Sequence, residues 1–133
     1  KINYANKLLK RKWSIQSRVQ KGRQLGKKIG FPTCNLEMND CVISRPGVYA
    51  VIIRRKNSKK ILKGIANLGY RPTFNQNKIL LEVHIFNFSG NLYNKVLTID
   101  FIHFIRKEKK FKNINYLKKQ IYVDLKFAKK KLN

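Results

Sequence analysis

Acidic residues are scarce in this sequence. Six Asp and Glu stand against 31 Lys and Arg among 133 residues, a formal net charge of +25. Each of the six therefore needs a reason. Cysteine is scarcer still. Cys34 and Cys41 are the only two, which excludes a disulfide framework or a metal knuckle. A reducing cytoplasm is the expected setting. Cys34 reads as a small apolar filler rather than a nucleophile, because no His stands near it in sequence. No apolar run approaches the roughly 20 residues of a membrane-spanning helix. The basic start lacks the continuous apolar stretch and small-residue cleavage site of a secretory signal. There is no internal repeat, and no alternation of strand and helix that would build a parallel sheet.

What is present suffices for one domain. Hydrophobic residues make up 43% of the chain, enough to build a core. The lysines are spread over most of the sequence among many Asn and Ile, which reads as compositional drift rather than a basic patch. An alternative keeps the charge in the foreground: a basic barrel that binds single-stranded nucleic acid, with Tyr70, Phe74 and Tyr93 as stacking surfaces.

Hydrophobic period gives the order of elements. Residues 1–12 read as a short helix and 13–19 as a first strand. A glycine-rich loop follows, then a short strand at 35–38 and a turn at Asn39 and Asp40. Pro46 and Gly47 signal another turn before a Val/Ile/Tyr-rich strand at 48–54. A polar hairpin turn at 57–60 leads into a strand at 61–67, and 69–77 reads as a loop. In 79–88, Leu81, Val83 and Ile85 alternate with Leu80, Glu82, His84 and Phe86. Residues 92–105 form another strand region. Beyond Arg106, Ile114, Leu117, Ile121, Leu125, Ala128 and Leu132 recur at helical spacing, with Asn113 as N-cap. The expected fold is mainly β: a six-stranded antiparallel Greek-key barrel with a C-terminal α-helix.

The loop 22–35 (GRQLGKKIGFPTCN) concentrates possible chemistry. Gly22, Gly26 and Gly30 recur every fourth residue, Lys27 is among the basic residues between them, and Thr33 and Asn35 follow. Glycine permits close backbone approach to a ligand, and successive N–H groups in such a loop cradle anions. Thr33 and Asn35 offer oxygens suited to Mg²⁺. The spacing matches neither a P-loop nor a dinucleotide fingerprint. A flexible basic turn is the bland alternative. Glu82, mid-strand beside His84, is placed to act as a general base, or to balance the Lys excess at the surface. His84 has no companion ligands for a metal, and His103 has no functional case. Arg106, at a strand end, can hold an anion or a polar ring edge, or can pair with Glu108.

Seven segments together resemble the riboflavin kinase family: 26–35 (GKKIGFPTCN), 46–50 (PGVYA), 64–74 (GIANLGYRPTF), 81–84 (LEVH), 92–93 (LY), 104–108 (FIRKE) and 117–124 (LKKQIYVD). They occur in the family's order across nearly the whole chain. The resemblance implies transfer of the ATP γ-phosphate to the 5′-hydroxyl of riboflavin, giving FMN. It implies that Thr33 and Asn35 meet Mg²⁺ and the nucleotide phosphates, that Gly22, Gly26, Lys27 and Gly30 lie in a loop over ATP, that Glu82 is the base, and that Arg106 lies on the flavin side. The substrates it implies are small molecules, riboflavin and ATP; the expected setting stays cytoplasmic, with no nucleic-acid partner and no membrane. Residues 1–13 resemble the linker that joins an upstream nucleotidyltransferase (FAD synthetase) domain to a kinase domain at 14–133. The absence of a starting Met fits a fragment of such a chain. Departures from the family pattern are Ser17 and Asn94 for Gly, Cys34 for Ala and Lys27 for Arg. Asn tolerates positive φ, so the turn at Asn94 is expected to survive. Lys27 keeps charge but loses the bidentate fork.

Overall fold

A computed structural model describes residues 13–20, 34–36, 46–72 and 77–133. The helix expected at 1–12, most of the glycine loop, and the turn at Asn39 and Asp40 lie outside them. The described strands are β1 (Trp13–Gln20), β2 (Cys34–Leu36), β3 (Gly47–Arg55), β4 (Ile61–Pro72), β5 (Asn77–Ile85) and β6 (Val96–Arg106). One helix, α1 (Ile114–Leu132), follows. All ladders are antiparallel, in the order β1-β2-β5-β4-β3-β6, and β1 pairs with β6 to close a barrel. The mainly β class with a C-terminal helix, expected from the sequence, is what the chain adopts.

Period-2 alternation sorts the side chains. Tyr49, Val51, Ile53, Ala66, Leu68, Leu81, Val83, Leu97, Ile99 and Phe101 share one buried cluster inside the barrel. Tyr49 sits edge-on to both Phe101 and Phe104, with ring centroids 5.2 and 5.1 Å away, a favoured aromatic geometry. The opposite face of β3 and β4 supplies Val48, Ala50 and Ile65, which pack with Ala128, Leu125 and Leu132 of α1. Thus α1 covers one flank of the barrel's outer face. Its N-cap is Asn113, whose side-chain oxygen accepts from Tyr116 N at 3.1 Å. Ile114, which the sequence period placed on the apolar face, is exposed.

Several boundaries differ from the sequence reading. β4 continues through Gly69 to Pro72, and β5 begins at Asn77, so much of the expected 69–77 loop is strand. Gly69 and Pro72 look like loop punctuation. Instead, Pro72 ends a strand, where a missing N–H costs little, and Gly69 is a point of close approach. β5 stops at Ile85 because Asn87 takes φ 53°. β6 starts only at Val96, after a turn in which Asn94 adopts φ 66°. That turn survives the replacement of Gly, as expected.

Two buried aspartates fasten the barrel. Asp100, 4% exposed, accepts from Arg54 Nε at 2.9 Å and Nη2 at 3.0 Å, and from the Ser14 hydroxyl, so it ties β1, β3 and β6 together. Asp124, 1% exposed, lies on the apolar stripe of α1. It accepts from Arg106 Nε at 3.0 Å, Arg106 Nη2 at 2.8 Å and Gln120 Nε2 at 2.9 Å. Breaking one partner of a buried, hydrogen-bonded ion pair leaves an uncompensated charge. Asp124→Ala is therefore expected to cost about 3–5 kcal/mol in urea unfolding. Replacing both partners by apolar residues, Arg106→Met with Asp124→Leu, should recover much of that loss.

Candidate active site

The barrel register sets out one row of residues across five strands. Asn35 on β2 is opposite Glu82 on β5, Glu82 is opposite Asn67 on β4, Asn67 is opposite Val48 on β3, and Val48 is opposite Arg106 on β6. Paired residues point to the same face. Val48 belongs to the layer under α1, so the row from Glu82 to Arg106 runs along the outside of the barrel, not its interior. Three residues singled out from sequence, Asn35, Glu82 and Arg106, therefore share a row. Neighbouring strands are about 4.8 Å apart. Asn35 is one such step from Glu82, and Arg106 is three steps away on the other side. Gly22, Gly26, Lys27, Gly30 and Thr33 lie outside the described residues.

Arg106 does not pair with Glu108, as one reading of the sequence allowed. Its Nε and Nη2 are taken by Asp124, Nη1 donates to the Lys107 carbonyl at 3.1 Å, and the guanidinium carbon lies 5.8 Å from the Phe111 ring centroid. Asp124 is far in sequence but fits the helix geometry: with Gln120 four residues earlier it presents a fixed carboxylate to the strand end. The sequence signal was a lone acid on an apolar helical stripe. In a chain this basic, that position needs a buried cation.

Glu108 was also missed. It follows β6 in the segment leading to α1, and it leans back over β4. A Cβ placed on Gly69 would overlap Glu108 Oε1. Gly69 has no side chain, and the carboxyl uses that space. Gly69 is two residues from Asn67 on the same strand face, so Glu108 sits diagonally across from Glu82. Burial pushes the Glu108 carboxyl above its ordinary 4.5, the Arg106 charge draws it down, and the Glu82 charge pushes it up. Two acids thus flank one patch of outer barrel face. No ion pair among the described residues ties either of them to a Lys or Arg. His84, on the same face as Glu82, lies 6.1 Å centroid to centroid from Phe86. Among the described residues, no three His, Cys, Asp or Glu gather as a metal site.

An antiparallel barrel with one helix-covered flank, and Glu82, Asn67 and Arg106 in register on its outer face, defines the class. The chain belongs to the riboflavin kinase family: the Flavokinase family model, described as riboflavin kinase, matches residues 9–132. It is 44% identical over 128 residues to the bifunctional riboflavin kinase/FMN adenylyltransferase of Haemophilus influenzae, covering 96% of this chain and 41% of that one. The chain thus spans about two-fifths of the length of the curated relatives it matches. A crystal structure from Streptococcus pneumoniae, described as a macrolide-efflux protein, superposes with TM-score 0.83 at 28% identity, covering 92% of this chain and 40% of the other. Riboflavin kinase from Trypanosoma brucei superposes with TM-score 0.61 over 88% of this chain and 77% of the other. At 19% identity that likeness speaks to the fold alone. Among the described residues no helix is long and apolar enough to cross a membrane.

The raised proton affinity of Glu108 has a consequence for stability. Its folded pKa lies above its unfolded one, so the folded state holds this proton more tightly. Stability then falls as pH rises through the interval above 4.5. Below 4.5 both states are protonated and the effect vanishes. Glu108→Gln is expected to raise the thermal midpoint at neutral pH, with the gain shrinking toward zero as pH falls below 4.5. Melting curves across that range check it.

Proposed function

We propose that this chain is the riboflavin kinase unit of a larger bifunctional protein and transfers the γ-phosphoryl of ATP to the 5′-hydroxyl of riboflavin, giving FMN and ADP. The observation that carries the reading is the single outer row in which Asn35, Glu82 and Arg106 stand in strand register. A tricyclic ring held on the Arg106 side, clear of the helix-covered Val48, can extend a five-carbon tail to Glu82, and a nucleotide phosphate can meet it from the Asn35 side. The strand order is read as the Greek-key barrel expected from the order of elements in the sequence. Residues 14–133 are read as the kinase domain and 1–13 as the linker to an upstream FAD synthetase domain, although Trp13 already belongs to β1.

Phosphoryl transfer asks a protein mainly for positioning and charge neutralisation. In this reading Glu82 takes the proton from the 5′-hydroxyl as its oxygen bonds to the γ-phosphorus. The bond from that phosphorus to the β,γ-bridging oxygen breaks, and ADP leaves with the electron pair. General-base help of this kind is worth about 10²–10⁴-fold. Gly22, Gly26, Lys27 and Gly30 cover the nucleotide, with Lys27 as a phosphate contact. Arg106, held by Asp124 and backed by Phe111, presents a fixed edge to the flavin. The donor set suits Mg²⁺: Thr33 and Asn35 are hard oxygen ligands, and Asn35 is in register beside the base. When bound, the ion neutralises phosphate charge. The setting is read as cytoplasmic. A basic nucleic-acid-binding barrel, by contrast, gives no work to the acids on this face.

The test is incubation of the purified protein with riboflavin, ATP and Mg²⁺, with FMN detected by chromatography. Turnover is expected, and chelation of the metal should stop it. Glu82→Gln should keep the fold and lose at least about 100-fold in kcat. Full activity in that variant would remove Glu82 from the chemistry.

A further inference from the structure

Resting on the reading of Glu82 as the base, we propose that Glu108 is a positioning residue, whose carboxylate is seated in the space left by Gly69 and steers the Glu82 side chain toward the β2 side of the row, where Asn35 stands. The steering is electrostatic. Glu82 is flanked by β2 on one side and β4 on the other. A second negative charge parked over β4 repels the Glu82 carboxylate, and like charges across a sheet oppose each other by direct proximity. The carboxylate is left to lean toward the strand that carries Asn35.

Three features of the site fit this role better than a packing role. First, Gly69 is buried although it lies on the outer face, and the atom that would meet its Cβ is the far end of the Glu108 side chain. The seat is shaped for the carboxyl itself. Second, the described cation beside Glu108 does not cancel the pair. Arg106 lies close enough to Glu108 to draw its proton affinity down, but its Nε and Nη2 are spent on Asp124. Among the described residues, the charges that act on Glu108 are Arg106 from the end of β6 and Glu82 from β5; from α1, Gln120 is engaged with Asp124 and with Lys109 at 3.4 Å. Third, burial and the Glu82 charge both raise the proton affinity of Glu108, so its seat is not one that a carboxylate takes for packing alone.

The arrangement provides its own selective probe. Gly69→Ala displaces only a flexible side-chain end, so it should unseat Glu108 without breaking the barrel. Glu108→Gln keeps the shape and removes the charge. Both variants, and the double variant, are to be made in the full-length protein. They would be compared with Glu82→Gln for kcat, for KM of riboflavin and ATP, and for thermal midpoint. Misplacing a reacting group by about 1 Å can cost on the order of 100-fold, so a 10- to 100-fold fall in kcat is expected for each single variant. KM for riboflavin should change little, the Glu108→Gln midpoint should not fall, and the double variant should be no worse than the worse single one. Full kcat in Glu108→Gln, with Glu82→Gln inactive, would overturn this role and leave the base assignment standing. A rise in riboflavin KM with kcat retained would make Glu108 a direct ligand instead, and also overturn it. Full activity in Glu82→Gln would overturn both readings.

Discussion

In a chain with so many cations, the Arg106–Asp124 pair is the contact on which the outer face depends. Its parts come from the end of β6 and the third turn of α1, and both are largely withdrawn from water, with side-chain exposures of 15% and 2%. A bidentate guanidinium–carboxylate pair fixes orientation as well as distance. It sets where α1 lies on the barrel and where the segment from Lys107 to Asn113 departs. It also determines where Glu108 can reach. Gln120 adds a third donor to the same carboxylate, so the buried charge is fully engaged. The apolar layer of Val48, Ala50, Ile65, Leu125 and Ala128 supplies adhesion between helix and barrel, but adhesion alone would let the helix slide.

The four described acids divide by chemistry. Asp100 and Asp124 are short, buried and gripped by arginines; they fasten strands and helix. Glu82 and Glu108 are longer, sit on the outer face, and lie within electrostatic reach of each other. The price of that second arrangement is stability. Among the described residues neither Glu82 nor Glu108 has an ion-pair partner, although the chain carries 31 Lys and Arg. Arg106 makes the patch possible, because its commitment to Asp124 keeps it from quenching the pair beside it.

Much of this was legible in the sequence because period-2 alternation is insensitive to tertiary detail. The two faces of 79–88, with Glu82 opposite Leu81 and Val83, followed from it directly, as did α1 with its Asn113 cap. What was not legible turned on residues whose local signal points elsewhere. Gly69 and Pro72 read as loop, since neither favours a strand, yet Gly69 is required by a carboxyl arriving from almost forty residues downstream. Asp124 stood in a recognised motif without a visible task, because its partner lies on another element. The Arg54–Asp100 pair was invisible for the same reason. The shared row of Asn35, Glu82 and Arg106 needed the strand order, which alternation does not supply. Gly22, Gly26, Lys27, Gly30 and Thr33 fall outside the described residues, so their part of the expectation rests on the family resemblance.

The central claim is that chemistry occurs on the outer face of the barrel, at the row running from Asn35 through Glu82 to Arg106. A crystal structure of the protein with FMN, ADP and Mg²⁺ tests it most directly. The account predicts the ribityl 5′ oxygen within hydrogen-bond reach of the Glu82 carboxylate, about 2.6–3.2 Å, with the flavin ring toward Arg106 and the metal beside Asn35. A flavin bound elsewhere on the barrel, with Glu82 remote from its 5′ oxygen, would contradict it.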